Sequence, residues 1–354
     1  MDRISKIRRI IENRSLDAVY LLKETNVSWA SGFRGDSSVV IITKDSQYFI
    51  TDSRYTEEAE KEIDPSYKII EIRPEIRDQV LNDIFVKNEI KNLGIEGSYL
   101  TVKDKSELDG KYVFEYSFID DDIIKLRAVK DENEIISMKK AAKLTEECFY
   151  YLLPKIKEGV SENDIFAEMC YFFNKNGATG SFEPIIAGGP NSSMPHAKVT
   201  SRKLEKYDLL TMDFGCKING YCSDFTRTLA ISGIEPDMKR VYNTVRNAQR
   251  LAMDFLRPGV SGFDADKIAR DHIYSSGYEG LFGHSLGHGV GLDIHESPRL
   301  SRFSDDIMEK DMAVTVEPGI YIPGKGGVRI EDTVLITEDG MVSLYTVPTD
   351  LIIL

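Results

Sequence analysis

Apolar runs of membrane length are missing: nothing in the 354 residues approaches the roughly 20 consecutive apolar residues that a spanning helix needs. Cysteine is scarce, and Cys148, Cys170, Cys216 and Cys222 show no CxxC spacing. Cys216 and Cys222 stand six apart, a spacing open to a zinc pair but better suited to free thiols in a reducing cytoplasm. Positive charge is in deficit. Lys and Arg number 45 against 58 Asp and Glu, a net charge of −13. Nucleic acids and anionic membranes want clustered cations, so neither is expected as a partner. The opening Met1-Asp2-Arg3-Ile4-Ser5-Lys6 holds no apolar signal core, and a cytoplasmic protein is expected. The first third has no GxGxxG and no P-loop, so nothing there suggests a nucleotide site.

Histidine is rare too, and its distribution is uneven. Three of the five, His284, His288 and His295, fall within twelve residues, with Gly287, Gly289 and Gly291 between them. Imidazole is the commonest neutral metal ligand, and glycine lets backbone approach a site closely. A loop carrying surface histidines would also read this way, so the cluster needs carboxylates before it means chemistry.

The chain supplies them on both sides. Leu209–Lys217 and Tyr221–Ile231 read as strands joined by Asn219-Gly220, the strongest short hairpin signal. A two-residue turn there pairs 218 with 221, 217 with 222 and 215 with 224. Asp213 and Asp224 then share a face as a diagonal pair, about 7–8 Å apart. Unpaired they would repel, and one would take up a proton. Further on, Met312–Val316 leads to Glu317, and Gly326–Ile330 leads to Glu331. Four carboxylates with one imidazole suit a pair of hard or borderline divalent ions better than a tetrahedral structural zinc.

The surrounding chain divides into two. Residues 3–13 predict a helix, 17–22 a strand, 39–42 and 48–50 two strands about the turn 44–46. A helix from Thr56, a strand at 67–72, a helix over 74–88 and a strand at 92–95 follow. That alternation describes an α/β domain over residues 1–125. The charged passage from Asp120 to Glu132 separates it from a second domain, 126–354. There Asp131 and Glu134 form a capping box for a long helix whose apolar face carries Ile135, Met138, Ala142 and Leu144. Within the second domain Gly159-Val160-Ser161 returns 100 residues later as Gly259-Val260-Ser261, each followed by Asp at the third position after Ser. A common capping phrase would account for one match; a duplicated domain with pseudo-two-fold symmetry is the sharper reading.

Taken together, Met212-Asp213-Phe214-Gly215, Ser223-Asp224-Phe225-Thr226-Arg227, Gly287-His288-Gly289, Ile294-His295-Glu296, Val316-Glu317-Pro318-Gly319 and Arg329-Ile330-Glu331-Asp332 resemble the pita-bread metallopeptidases. The resemblance spans the chain from about residue 126 to its end. Trp29–Gly35, Asp52–Tyr55 and Gly189–His196 are similar to the Xaa-Pro branch, prolidase and aminopeptidase P. Asp36 departs from the Ser expected there. Methionine aminopeptidases share the metal ligands but usually lack so large an N-terminal domain. Creatinase shares both domains without the metal set, and a metal-free binding module would show broken ligand positions; here the set is whole.

The resemblance implies an α/β N-terminal domain followed by a duplicated α+β pita-bread (creatinase/aminopeptidase-like) catalytic domain. It implies two divalent ions, manganese, cobalt or zinc, held by Asp213, Asp224, His288, Glu317 and Glu331, with Asp224 and Glu331 bridging. His196 and His295 would steady the tetrahedral intermediate and Glu317 would handle the proton. Arg299 would meet the substrate's proline carboxylate, with Arg329 and His284 supporting the substrate region; His272 reads as structural. The implied activity is metal-dependent hydrolysis of the bond before proline in short peptides, as a dipeptidase or, on longer peptides, an aminopeptidase. A homodimer is expected with it.

Overall fold

The computed structural model describes residues 2–354, which fall into two compact units, one ending at Arg127 and the other running Ala128–Leu354. Among the described residues, no helix is long and apolar enough to cross a membrane. All four cysteines are free.

The first unit runs α1 (Arg3–Asn13), β1 (Ala18–Leu21), α2 (Glu24–Ser31), β2 (Val39–Thr43), β3 (Gln47–Thr51), α3 (Thr56–Glu62), β4 (Lys68–Glu71), α4 (Arg77–Lys87), β5 (Asn92–Ile95), α5 (Val102–Lys111), β6 (Glu115–Phe118) and α6 (Asp120–Ala128). Its sheet has the order β4-β3-β2-β1-β5-β6, with β2 antiparallel to both neighbours and the other pairs parallel. The periodicity located α1, β1 to β5, α3 and α4. It missed α2, α5 and β6. The acidic run at Asp120 is not a linker but the first turn of α6, where carboxylates meet the positive end of the helix dipole. Helix α2 has no side-chain cap of its own. Buried Glu96 instead accepts from Lys23 N–H at 2.8 Å and from Leu22 N–H and Asn26 Nδ2, a cap supplied from 70 residues away.

The second unit runs α7 (Glu132–Leu152), α8 (Glu162–Lys175), β7 (Thr179–Gly180), β8 (Ile185–Gly188), β9 (Leu209–Phe214), β10 (Cys216–Ile218), β11 (Tyr221–Cys222), β12 (Phe225–Ala230), α9 (Pro236–Phe255), α10 (Gly262–Ser275), β13 (Gly287–Gly289), β14 (Glu296–Leu300), β15 (Ala313–Val316), β16 (Gly319–Ile322), β17 (Gly326–Arg329), β18 (Glu331–Ile336) and β19 (Met341–Ser343). The main sheet has the order β14-β13-β15-β18-β12-β9-β8, and β19 pairs with β18. The capping box opens α7, although Ile135 and Leu144 are only partly covered; its buried side also carries Ala141, Phe149 and Leu152.

The repeated phrase marks a real duplication of structure. Ser161 caps α8 through Asp164 N–H, and Ser261 caps α10 through Asp264 N–H. Gly159 N–H bonds Leu204 O while Leu204 N–H bonds Val160 O. A hundred residues on, Gly259 N–H bonds Met308 O and Met308 N–H bonds Val260 O. One core gathers α7 and α8 with Met212, Phe214 and Phe225; the other gathers α9 and α10 with Val314, Val316 and Val334.

The hairpin register follows the Asn-Gly turn: Ile218 pairs with Tyr221, Lys217 with Cys222, then Phe214 with Phe225 and Asp213 with Thr226. The two long strands are nevertheless interrupted. β10 and β11 leave for a small sheet with β7, while β9 and β12 stay in the main one. The hinge is at Gly215, where a Cβ would lie 1.9 Å from the Ser223 carbonyl oxygen, so only glycine fits.

Candidate metal centre

Strand alternation aims the acids. Met212, Phe214 and Phe225 point into the first core, so Asp213, Asp224 and Thr226 point to the opposite face. Thr226 pairs with Asp213 on one side and with Glu331 on the other. Asp213, Thr226 and Glu331 therefore form a row across β9, β12 and β18, with Asp224 two residues before Thr226. Carboxylate oxygens of Asp213, Asp224 and Glu331 lie within 4.8 Å of one another, and all three residues are buried.

His288 arrives on β13. A Cβ on Gly287 would lie 2.0 Å from the Thr315 carbonyl oxygen, and that close approach brings the imidazole to the sheet. Its Nε2 stands 3.3 Å from Glu317 Oε1 and 3.6 Å from Asp224 Oδ2. Two threonines fix the acids: Thr226 Oγ1 donates to Glu331 Oε2 at 2.6 Å, and Thr315 Oγ1 to Glu317 Oε1 at 3.0 Å. The opposite oxygens, Asp213 Oδ1 and Glu331 Oε1, are buried with no hydrogen-bond partner. Buried carboxylate oxygens left unpaired are costly. Two of them facing a third acid are what a bound cation would satisfy, and the hard-oxygen-plus-imidazole donor set fits a divalent metal.

The electrostatics agree. Burial, and after it the Asp213 carboxylate, holds Asp224 well above the usual carboxylate range. Burial and then Asp224 do the same to Glu331. Burial also raises Asp213, against the pull of Arg329. For Glu317 and His288 burial would favour the neutral forms. Their hydrogen bond and opposite charges override it, moving Glu317 down to about 2 and His288 up to about 9.

The five ligand-type residues share a cavity of about 570 Å³, which His196, His284, His295, Arg299 and Arg329 also line. His196, His295 and Arg299 are exposed at its surface. The His295 ring meets His288 edge-on, centroids 4.3 Å apart. Arg329 is different: it is 3% exposed, and its guanidinium is given to protein. It donates to Asp213 Oδ2 at 2.5 Å, Tyr321 Oη at 2.7 Å and Pro195 O at 3.2 Å. His284 Nε2 bonds the same Tyr321 hydroxyl at 2.8 Å. His272 lies outside this cavity, in α10.

Sequence reasoning missed Tyr321, Thr226, Thr315 and Lys130. Thr226 had a signal, standing two residues after Asp224 on one strand face. Lys130 had none: its Nζ reaches Glu296 Oε1 at 2.8 Å, with 1% and 9% of the two side chains exposed. That pair anchors the residue next to His295.

The model of metallopeptidase family M24 matches residues 137–338, the span holding every residue of this centre. The chain belongs to that family. Residues 3–129 match the creatinase/prolidase N-terminal domain, so this M24 peptidase has a creatinase-type N-terminal domain ahead of a pita-bread catalytic domain. An Xaa-Pro dipeptidase structure from Bacillus anthracis superposes with a TM-score of 0.95 at 39% identity, covering 99% of each chain. An X-Pro aminopeptidase structure from Thermotoga maritima superposes at 0.92 and 33% identity, covering 100% of each. The Xaa-Pro dipeptidase of Pyrococcus furiosus is 35% identical over 96% of both chains. Divalent-metal use comes with the family.

Proposed function

We propose that this chain is an Xaa-Pro dipeptidase, hydrolysing the bond before a C-terminal proline with two divalent ions (Mn²⁺, Co²⁺ or Zn²⁺). The ligands in this reading are Asp213, Asp224, His288, Glu317 and Glu331. The observation that carries the dipeptide preference is Arg299. Arg299 lines the cavity that holds the carboxylate cluster, and its side chain forms no ion pair among the described residues. A free cation beside the reaction centre suits a product-side carboxylate, and its planar fork suits bidentate contact. The two relatives named as Xaa-Pro dipeptidases support the same choice.

The bound ions would supply Lewis-acid polarisation and lower the pKa of water. The protein's own groups do the rest. His196 and His295 reach the cavity from opposite segments and can donate to an oxyanion. Glu317, hydrogen-bonded to Thr315 and His288, is placed to carry the proton to the departing proline nitrogen. Arg329 and Tyr321 hold Asp213 in place, and His284 holds Tyr321. The scissile bond is a tertiary amide with no N–H, so the site has no use for an acceptor there.

The second reading is an aminopeptidase on longer Xaa-Pro peptides, favoured by the Thermotoga likeness and by the exposure of Arg299. Losing a hydrogen bond to a charged group costs about 1.5–3 kcal/mol. Arg299→Ala should therefore raise KM for an Xaa-Pro dipeptide about 10–100-fold and spare an Xaa-Pro-Yaa tripeptide. If the wild type prefers the tripeptide, or the substitution harms both substrates equally, the aminopeptidase reading replaces this one. A homodimer belongs to the same reading, supported by the resemblance; sedimentation of a fully active monomer at assay concentration would remove it.

A further inference from the structure

Asp224 lies in the gap between β11 and β12, at the point where the hairpin passes from the small sheet to the main one. Its backbone groups are met by side chains. The Tyr345 hydroxyl donates to the Asp224 carbonyl at 2.7 Å and accepts from the Asp224 N–H at 3.1 Å. A hydrogen-bonded antiparallel neighbour makes the same reciprocal pair of bonds to one residue. Thr333 Oγ1 donates to that carbonyl as well, at 2.9 Å.

Tyr345 is itself well held. Its ring packs on Phe225 with centroids 4.8 Å apart, and it is 6% exposed. Its N–H donates to Ser343 Oγ at 3.0 Å. Just beyond it, Arg227 donates to the carbonyls of Val347 at 2.7 Å and Pro348 at 3.2 Å. The same arginine pairs with Asp332 at 2.8 Å, next to Glu331. The segment after β19 is thus tied to β12 and, through Arg227 and Asp332, to β18.

We propose that Tyr345 is a positioning residue for the metal centre: its hydroxyl replaces the strand partner that the break removes, and so aims the Asp224 carboxylate at Asp213 and Glu331. The inference rests on the reading of these carboxylates as metal ligands. Tyr345 does not line the cavity and acts only through the Asp224 backbone.

Tyr345→Phe keeps the ring and removes the hydroxyl. Outer groups that orient a ligand are worth about 10–100-fold in metal affinity. Calorimetric titration of metal-stripped Tyr345→Phe with Mn²⁺ should show a loss of that size, with the same stoichiometry at saturation as the wild type. Its kcat/KM should recover as Mn²⁺ is raised, which a merely structural defect would not do. Thr333→Val removes the other bond to the same carbonyl and should weaken Mn²⁺ binding too; Thr333→Ser retains it and should bind as the wild type. Wild-type Mn²⁺ affinity in Tyr345→Phe overturns the proposal, as does wild-type affinity in Thr333→Val should Tyr345→Phe not fold. Asp224→Asn separates the two levels. If it loses Mn²⁺ while Tyr345→Phe keeps it, only the positioning role fails; if Asp224→Asn itself binds Mn²⁺ normally, the metal reading fails.

Discussion

Asp224→Asn should leave a folded protein that has lost its metal and, with it, on the order of a thousandfold or more of its peptidase activity. A metal acting as Lewis acid supplies several kcal/mol at the transition state, and each 1.36 kcal/mol is tenfold in rate. The same substitution should not destabilise the metal-free protein. Asp224 is buried among Asp213, Glu317 and Glu331, and its charged form is disfavoured there. A neutral amide of the same shape suits a site that already favours the uncharged side chain.

Proton release gives an independent readout. Without a cation, burial and neighbouring acids hold Asp224 and Glu331 well above the usual carboxylate range, and His288, raised to about 9, is protonated at neutral pH. Ligation requires all three to be deprotonated. Metal addition to stripped wild-type protein at pH 7 should therefore release protons, less so above about pH 9 as His288 deprotonates by itself. Calorimetry in two buffers of different ionisation enthalpy measures this. Equal heats in both buffers, or a metal-replete and active Asp224→Asn, would sink the assignment.

Lys130→Met should cost about 3–5 kcal/mol of stability, because it removes the cation from a pair that the fold has taken out of water. The Lys130 side chain is 1% exposed, and it donates to the Ala128 carbonyl at 3.0 Å besides Glu296. Removing both charges, in Lys130→Met with Glu296→Gln, should restore much of the loss, since no buried carboxylate is left without its cation. Urea denaturation of the two variants and the wild type decides it. A double variant no more stable than Lys130→Met would show that the ion pair is not the source of the effect. His295 immediately precedes Glu296 in sequence, so the single variant should also lose activity beyond what its unfolded fraction explains.

Much of the centre was legible before any coordinates. Asn219-Gly220 set a register that put Asp213 and Asp224 on one face, because a two-residue turn leaves no freedom in pairing. The 100-residue echo was legible because capping chemistry is local: Ser161 and Ser261 act on the third residue after them. Contacts across long sequence separations were not legible. Tyr345 meets Asp224 from 121 residues away, and Lys130 meets Glu296 from 166 away, with no periodicity to signal either. The α6 error has a local cause. Three consecutive aspartates read as a solvated linker, yet the same charges favour a helix start. The interruption at Gly215 was hidden for the opposite reason: the register runs through it unchanged, so only the sheet membership of the strands reveals it.

The duplication has one more consequence. Asp213 and Asp224 lie on β9 and just ahead of β12 in the first repeat, whereas His288, Glu317 and Glu331 lie on β13, just after β15 and on β18 in the second. Neither repeat alone carries the whole of the proposed ligand set. A chain stopping ahead of α10 would offer two of the proposed ligand acids and not the ligand His288; the later repeat by itself would offer His288 and two acids without their counterparts. On the proposed ligand set, cation binding would act as a clasp between the halves. Its free energy bears on their staying joined, and metal occupancy becomes a measure of whether the seam is closed.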